Sequence, residues 1–562
     1  MNSLLKSVFR KLPNLNKFNY SRVISRSCFQ QDRERNDGNR QNHYWKTSIM
    51  FGSALSGVFV YYFYIKDRHK LICSSLLDLS ENGNVIGPGI FRNDLPTYTL
   101  AEVNNHSTKD TKIWVTYKEG VYDITDFIEG HPGGEQILMA AGSSVEPFWL
   151  IYGIHENPHV YEILETLRIG NLNRDDQKEL SIENMNDPYA KEPRRHTALK
   201  PASVKPFNAE LSPQLLCENF LTPNELFYVR NHLPVPEIDV DTYELEIEVE
   251  DKSKILTFTL DELKKFPKHT ITATIMCAGN RRSEMTKVKP VKGLSWGPGA
   301  IGTAQWTGVR LRDVLKLAGV TDDEERLKHV QFEGIDFDAT SKQYGASIPL
   351  WKAVDKRGDV ILAYEMNGVP IPRDHGYPVR VIVPGIVGAR NVKWLGKIYV
   401  SESESSSHWQ QNDYKGFSPC VDWDTVDFTK SPAIQELPVI SAICRPLEGD
   451  KIHVEDGFIN VKGYAWSGGG QKIVRVDVTI DGGKTWQVAN FDAQDSAPPP
   501  RHWAWTLWSI KIPVNNELNE VEIWAKATDS SYNTQPENFE NIWNLRGVLS
   551  NAYHKVKVKL IH

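Results

Sequence analysis

A chain of 562 residues is too long for one hydrophobic core, so about three domains of ordinary size are expected. Its formal net charge of -6 excludes a generally basic, nucleic-acid-coating surface, and its composition is that of a soluble globular protein. Six cysteines (Cys28, Cys73, Cys217, Cys277, Cys420, Cys444) are scattered without a CxxC pair, which excludes a disulfide scaffold and zinc spacing, so any functional cysteine acts alone.

The first thirty residues carry Lys6, Arg10, Lys11, Lys17, Arg22 and Arg26, with no acid before Asp32. This basic, serine-containing start reads as a mitochondrial presequence over residues 1–45. Residues 47–65 form an uncharged hydrophobic sorting or transmembrane segment between Lys46 and Lys66. As a helix it would reach roughly 28 Å, enough for a ~30 Å hydrocarbon core. The pair of signals addresses the remainder to the mitochondrial intermembrane space. The segment is either cleaved with the leader or kept as an anchor that adds a membrane contact.

Residues 94–174 read as a compact unit with twelve acidic and five basic side chains. Its run Tyr122-Asp123-Ile124-Thr125-Asp126-Phe127-Ile128-Glu129-Gly130-His131-Pro132-Gly133-Gly134 puts His131 on a tight turn, and His155 follows a helical stretch and Phe148-Trp149-Leu150-Ile151. Two neutral imidazoles reaching one iron from opposite faces saturate its axial positions, which favours electron transfer over chemistry at iron. The run closely resembles the haem-binding signature of cytochrome b5, and that resemblance implies haem b with His131 and His155 as its iron ligands. Asn157 and His159 lie just beyond and either bond a haem propionate or serve the plain surface. An acidic rim around the haem would steer a basic electron acceptor such as cytochrome c.

The polar stretch 175–201 reads as a flexible linker that lets the domains on either side move. Residues 202–430 read as a mixed α/β domain, with alternation over Tyr243 to Val249 predicting a strand and Leu260 to Phe266 a short helix. The serine-rich run Ser401 to Ser407 reads as a flexible surface loop. From 431 to 562 the pattern is all-β. Val474, Val476, Val478 and Ile480 alternate before the turn Asp481-Gly482-Gly483, and Val521-Ile523-Ala525 and Val556-Val558-Leu560 repeat the pattern. That predicts an immunoglobulin-like β-sandwich, and the whole chain reads as multidomain α+β.

Cys277 stands in Cys277-Ala278-Gly279-Asn280-Arg281-Arg282-Ser283-Glu284-Met285. A thiolate there suits a high-valent thiophilic metal, and Arg281 and Arg282 can supply the positive charge that favours the thiolate. Cys217, Cys420 and Cys444 read as ordinary buried hydrophobes.

Phe227 to Pro236, the Cys277 run, Arg373 to Arg380, Gly388 to Trp394 and Asp413 to Pro419 resemble the sulfite oxidase family in that order. With the haem unit in front, the similarity covers about residues 94–562. The resemblance implies molybdenum-molybdopterin, with Cys277 as the protein ligand to molybdenum and the pterin dithiolene supplying the other sulfurs. It implies a substrate pocket of Arg230, Arg282, Arg546 and Trp296, with the Tyr414 hydroxyl near the metal oxo groups. Planar arginine donors suit a dianion such as sulfite better than lysine does. The implied pterin cradle is Tyr228, Val229, Arg230, Asn231, His232, Asp336, His375, Arg380, Asn391, Val392 and Lys393, with Asp338 as the near alternative to Asp336. Also implied are oxidation of sulfite to sulfate, single electrons leaving through the haem to cytochrome c, and a role in sulfur amino-acid catabolism and sulfite detoxification. A homodimer through residues 431–562 is implied as well. Assimilatory nitrate reductases share the molybdenum fold and haem module, but their haem domain follows the dimerisation domain and precedes a flavin domain. Here the haem unit comes first and the sequence ends at His562, so the order of domains disfavours nitrate reduction.

Overall fold

The computed structural model describes residues 87–562 except 133–136, 139, 152–154, 156, 177–187, 190, 254, 322–324 and 339–341. The expected leader 1–45 and hydrophobic segment 47–65 lie outside the described residues, and among those described no helix is long and apolar enough to cross a membrane.

The haem unit is built on a four-stranded sheet in the order Thr97–Tyr98, Arg168–Leu172, Gly120–Asp123, Trp114–Tyr117. Its first pair is parallel and the others antiparallel. Val115, Tyr122, Ile124 and Leu164 pack into one apolar cluster on the cavity side of this sheet. Asn157 caps the helix Pro158–Thr166 by accepting from the His159 backbone N–H, and Pro158 occupies the first turn, where its missing donor costs nothing. The far end of that helix is tied to the sheet: the Tyr122 hydroxyl donates to Glu165 at 2.8 Å and Arg168 donates to the Tyr122 oxygen at 3.1 Å.

The stretch read as a linker is described only in part, and its last third is fixed rather than loose. Arg195 forks onto both carboxylate oxygens of Asp374 at 2.9 and 2.8 Å, and Leu199–Ser203 already pairs with Asn208–Leu211 as a strand. Two five-stranded sheets follow. One runs Lys268–Met276, Ile301–Arg310, Ile361–Met366, Val369–Pro370, with Arg380–Ile382 also on Ile361–Met366. The other runs Gln343–Pro349, His329–Phe337, Leu395–Ser401, Glu244–Val249, Leu256–Thr259. Alternation in Glu244–Val249 buries Leu245, Ile247 and Val249, as the pattern requires.

Two local expectations need correction. The helix expected over Leu260 to Phe266 is a single turn, Leu260–Leu263, because Pro267 disfavours helical backbone at the residue before it. The serine run Ser401 to Ser407 is held, not flexible. Ser401 and Ser405 are buried, the Ser405 N–H donates to the Ser347 hydroxyl at 3.0 Å, and Gln331 donates to the Ser401 hydroxyl at 2.8 Å. Small polar side chains beside a strand edge find partners that composition does not reveal.

The last domain is a two-sheet sandwich. One sheet runs Ile440–Arg445, Phe458–Trp466, Thr506–Pro513, Asn490–Gln494, and the other Lys451–His453, His554–Ile561, Glu520–Asp529, Ile473–Thr479, Gln487–Val488. Val461, Val476, Val478, Trp508, Ile523 and Val558 fill the space between them. Val474 breaks the expected alternation and is exposed, because the register shifts between Ile473 and Arg475. This domain shares a core with the preceding one: Leu437, Ala442, Tyr464, Trp466 and Val548 belong to the same buried cluster as Leu245, Phe332 and Val381. Beside it, Leu545 packs with Met285 and Trp543 in a separate cluster, and the carbonyls of Arg546 and Gly547 accept from Arg282 in the Cys277 turn.

Candidate active site

The strand Lys268–Met276 delivers Cys277 at its end, where the Cys277 N–H donates to the Ala300 carbonyl and the Cys277 carbonyl accepts from Asn280, both at 3.0 Å. Two glycines make room for Arg282. A Cβ on Gly279 would stand 2.5 Å from its guanidinium, and one on Gly293 2.7 Å. The guanidinium is then oriented by the carbonyls of Leu294 at 2.9 Å, Arg546 at 3.1 Å and Gly547 at 3.0 Å. Burial lowers the Arg282 pKa, and Cys277 and Tyr414 act against that shift, so Arg282 shares their electrostatic neighbourhood.

Arg281 goes the other way. Its backbone is left-handed at φ +64°, and its fully buried guanidinium forks onto Glu284 at 2.7 Å twice. It also donates to the carbonyls of Ser441, Ala552 and Tyr553. The expectation that both arginines serve Cys277 is therefore corrected: Arg281 joins two domains. Cys420 is exposed, contrary to its reading as a buried hydrophobe, whereas Cys444 is buried and Cys217 partly so.

A cavity beside Cys277 is lined by Tyr228, Arg230, His232, Asp336, His375, Arg380, Asn391, Val392, Lys393 and Tyr414, which gathers most of the sequence-derived site from segments far apart in the chain. Val229 and Asn231 are buried behind this lining. Trp296 is fully buried in the apolar cluster that contains Cys277, with its indole N–H unpartnered, and does not line the cavity. Asp336, not Asp338, faces the cavity. Phe227 and Asp374, from the Phe227 to Pro236 and Arg373 to Arg380 runs, also line it, as does Tyr344, which belongs to no motif.

His232 Nε2 and the Tyr414 hydroxyl are 2.6 Å apart. Burial, with Arg230 and Lys393 acting in the same direction, lowers the His232 pKa well below the ordinary histidine value, and burial raises that of Tyr414. The pair is neutral at pH 7. Tyr414 follows a wide π-helical turn, Trp409–Asp413. Asp413 in that turn forms an ion pair with Arg546, whose pKa burial and the charges of Arg282 and Arg230 bring down to about 10. Burial alone would also lower Arg230, but Tyr414 and Cys277 outweigh it and raise the pKa. Deeper in, Arg380 donates to the carbonyls of His375 at 2.8 Å and Asn391 at 2.9 Å, and Lys393 donates to the Asp374 carbonyl at 2.8 Å.

The donor set fits an anionic pterin. Arg230, Arg380 and Lys393 converge on the cavity, while the Asp374 carboxylate is already matched by Arg195. Arg380 Nε and Asp336 Oδ1 are buried without partners. Burial drives Asp336 up and Lys393 down, both toward neutrality. An unmatched buried donor such as Arg380 Nε calls for a bound acceptor such as a phosphate, and an unmatched carboxyl oxygen such as Asp336 Oδ1 calls for a bound donor.

The second site is a cavity of about 490 Å³ in the haem unit, lined by Ile124, Phe127, Ile137, Val145, Phe148 and Trp149 among others. His131 and His155 face each other across it, ring centroids 6.1 Å apart and planes within 7°. Two metal–nitrogen bonds of roughly 2 Å, plus about 1 Å from each nitrogen to its ring centre, give the same separation, so the pair fits a six-coordinate haem iron. Asn157 and His159 lie at the rim, with the Asn157 oxygen engaged as the helix cap.

Residues 232–409 match the oxidoreductase molybdopterin binding domain, 431–561 the Mo-co oxidoreductase dimerisation domain, and 99–173 the cytochrome b5-like heme/steroid binding domain. The chain is 62 % identical over 479 residues to mitochondrial sulfite oxidase of Drosophila melanogaster, an alignment covering 84 % of this chain and 82 % of that protein. The chain belongs to the sulfite oxidase family. It is 54 % identical over 462 residues to mitochondrial sulfite oxidase of Homo sapiens, with 82 % of this chain and 84 % of that protein covered. Among solved structures it is similar to the sulfane dehydrogenase SoxCD from Paracoccus pantotrophus, with a TM-score of 0.51 and 26 % identity over 66 % of this chain and 87 % of that chain. The three matched domains of this sulfite oxidase family member coincide with the haem unit, the two-sheet domain carrying Cys277 and the sandwich described above.

Proposed function

We propose that the chain oxidises sulfite to sulfate at a molybdenum pterin held by Cys277 and passes the electrons singly through the haem to cytochrome c. The observation that carries this reading is the convergence of Cys277, Arg230 and Tyr414 on one cavity, in a chain that also sets two parallel histidines at haem spacing. Arg380, Lys393, His375 and Asn391 hold the pterin, with Tyr228, His232, Asp336 and Val392 completing its walls, and His131 and His155 hold the haem iron. When bound, the molybdenum pterin supplies oxygen-atom transfer and stores two electrons.

The chain's own residues admit and orient the anion. Arg230, Arg282 and Arg546 offset the cost of bringing a dianion into a buried site, and their planar donors fix its oxygens. The neutral Tyr414 hydroxyl, held by His232, adds a donor that does not repel the anion or require a counter-charge. Trp296 backs Cys277 and keeps its surroundings dry. For each sulfite consumed, one water supplies the added oxygen, and two protons and two electrons leave.

The acidic haem unit supports a basic acceptor of the cytochrome c kind. The basic leader, with the mitochondrial names of the relatives, supports delivery to the intermembrane space. The dimerisation-domain match supports a homodimer through the sandwich. Metal analysis with sulfite-dependent reduction of cytochrome c tests the whole reading. One molybdenum and one haem per active chain are expected, whereas haem without molybdenum would leave only an electron carrier.

A further inference from the structure

We infer that Lys292 is the residue through which the haem unit docks on the arginine end of the molybdenum site, and that this contact sets the rate of electron passage between the two centres. The inference rests on the reading of the two cavities as successive redox centres.

Lys292 belongs to the domain that carries Cys277, yet it lines the haem cavity, where every other described lining residue comes from the haem unit itself. Its ammonium donates to the Pro132 carbonyl at 3.4 Å, next in sequence to the haem ligand His131. The same residue is tied to the sulfite end. Its backbone N–H donates to the Leu545 carbonyl at 3.1 Å, beside Arg546. Gly293, the next residue, lies directly against the Arg282 guanidinium, and Leu294 accepts from it at 2.9 Å. A second line of contact runs over Trp423, with the Lys292 ammonium 5.1 Å from its ring centre and the Arg546 guanidinium 5.9 Å. From the haem ligand loop to Arg282 the path is thus two hydrogen bonds joined by the backbone of Lys292, Gly293 and Leu294.

Charge favours the same docking. Lys292 extends the cationic group of Arg282 and Arg546 toward a unit with a large excess of acids. Burial and the charge of Arg546 both lower its pKa, so an acidic partner relieves a repulsion already present. Each passage takes one electron from the molybdenum site and converts ferric to ferrous haem, which passes it to the external acceptor. Two passages account for the two electrons released per sulfite.

The test compares holoenzyme carrying Lys292→Ala or Lys292→Arg with the unaltered protein. It measures laser-flash reduction of the haem, the sulfite KM with ferricyanide as acceptor, and amide hydrogen exchange over residues 126–131. Lys292→Ala should slow haem reduction about tenfold and raise exchange in that loop, with the sulfite KM within about twofold. Lys292→Arg should restore haem reduction to within about threefold, because a donor and a charge are kept. Unchanged haem reduction in Lys292→Ala would overturn the inference. So would an equal fall in ferricyanide turnover and haem reduction, which would put Lys292 in the sulfite site. If sulfite fails to reduce the haem even in the unaltered protein, the two-centre reading fails, and the exchange difference alone decides the docking contact.

Discussion

Replacing Arg281 separates structural from electrostatic roles in the Cys277 turn. The residue is fully buried, and it satisfies both oxygens of Glu284 and three backbone carbonyls contributed by the sandwich domain. Arg281→Met removes all of these donors at once and leaves Glu284 with His554 at 3.6 Å and the charge of Lys287. Breaking one side of a buried pair costs about 3–5 kcal/mol. For domains of this size that is a fall of about 10 °C in unfolding temperature, measurable by calorimetry or circular dichroism.

The pH dependence has a definite sign. Burial alone would raise the Glu284 pKa, but Arg281 and His554 hold it below the ordinary carboxylate value. A depressed folded-state pKa stabilises above the unfolded value and loses that contribution as pH falls through the folded one. In Arg281→Met only His554 and Lys287 still oppose burial, so the Glu284 pKa rises and the gap between the two proteins should narrow as pH drops below about 4. Adding Glu284→Leu should recover part of the loss, since the stranded carboxylate goes with it. An unfolding temperature within about 2 °C of the unaltered protein together with a slowed sulfite reaction would refute this assignment and return Arg281 to the service of Cys277, because losing a buried pair of about 3 kcal/mol or more shifts it further.

Two further outcomes follow from the geometry. His155→Ala should abolish haem binding and cut cytochrome c reduction about a hundredfold, while sulfite oxidation with ferricyanide stays within about twofold, because the molybdenum cavity is untouched; absorption spectra and parallel assays check this. Arg501→Ala should lower stability at pH 7 by about 2 kcal/mol, because Asp359 is buried and held low by its bonds to His269, Arg501 and Trp503 against the opposing effect of burial. That contribution is present above the unfolded carboxylate pKa and disappears as pH falls through the folded value, so unfolding scans at pH 7 and pH 3 should show the difference shrinking.

The sites were legible where chemistry forces a local pattern. A histidine on a Pro-Gly-Gly turn with a second histidine beyond an apolar stretch can do little except hold a ligand between two rings, and His131 and His155 face each other as that requires. Cys277 was singled out through the resemblance to the sulfite oxidase family, since a lone thiol by itself reads as an ordinary buried hydrophobe. The role of Arg281 was not legible, since one left-handed φ turns adjacent arginines into opposite directions and no side-chain pattern records it. Tyr344 enters the cavity from a strand whose place is decided by sheet packing, so nothing local marks it. The same holds for Val474, where a register shift outranks perfect alternation, and for the serines 401 to 407, whose partners come from neighbouring strands.

The central claim is that Cys277 holds the metal that oxidises sulfite and that the electrons reach a haem held by His131 and His155. Rapid mixing of oxidised protein with sulfite, followed at the haem absorption band, tests it most directly when Cys277→Ser is run beside the unaltered chain. The unaltered protein should show reduced haem as sulfite is consumed. Cys277→Ser should keep its haem spectrum but lose at least about a hundredfold in reduction rate, since a hydroxyl is a poor substitute for a soft thiolate ligand. Haem reduction at an undiminished rate in Cys277→Ser would contradict the account.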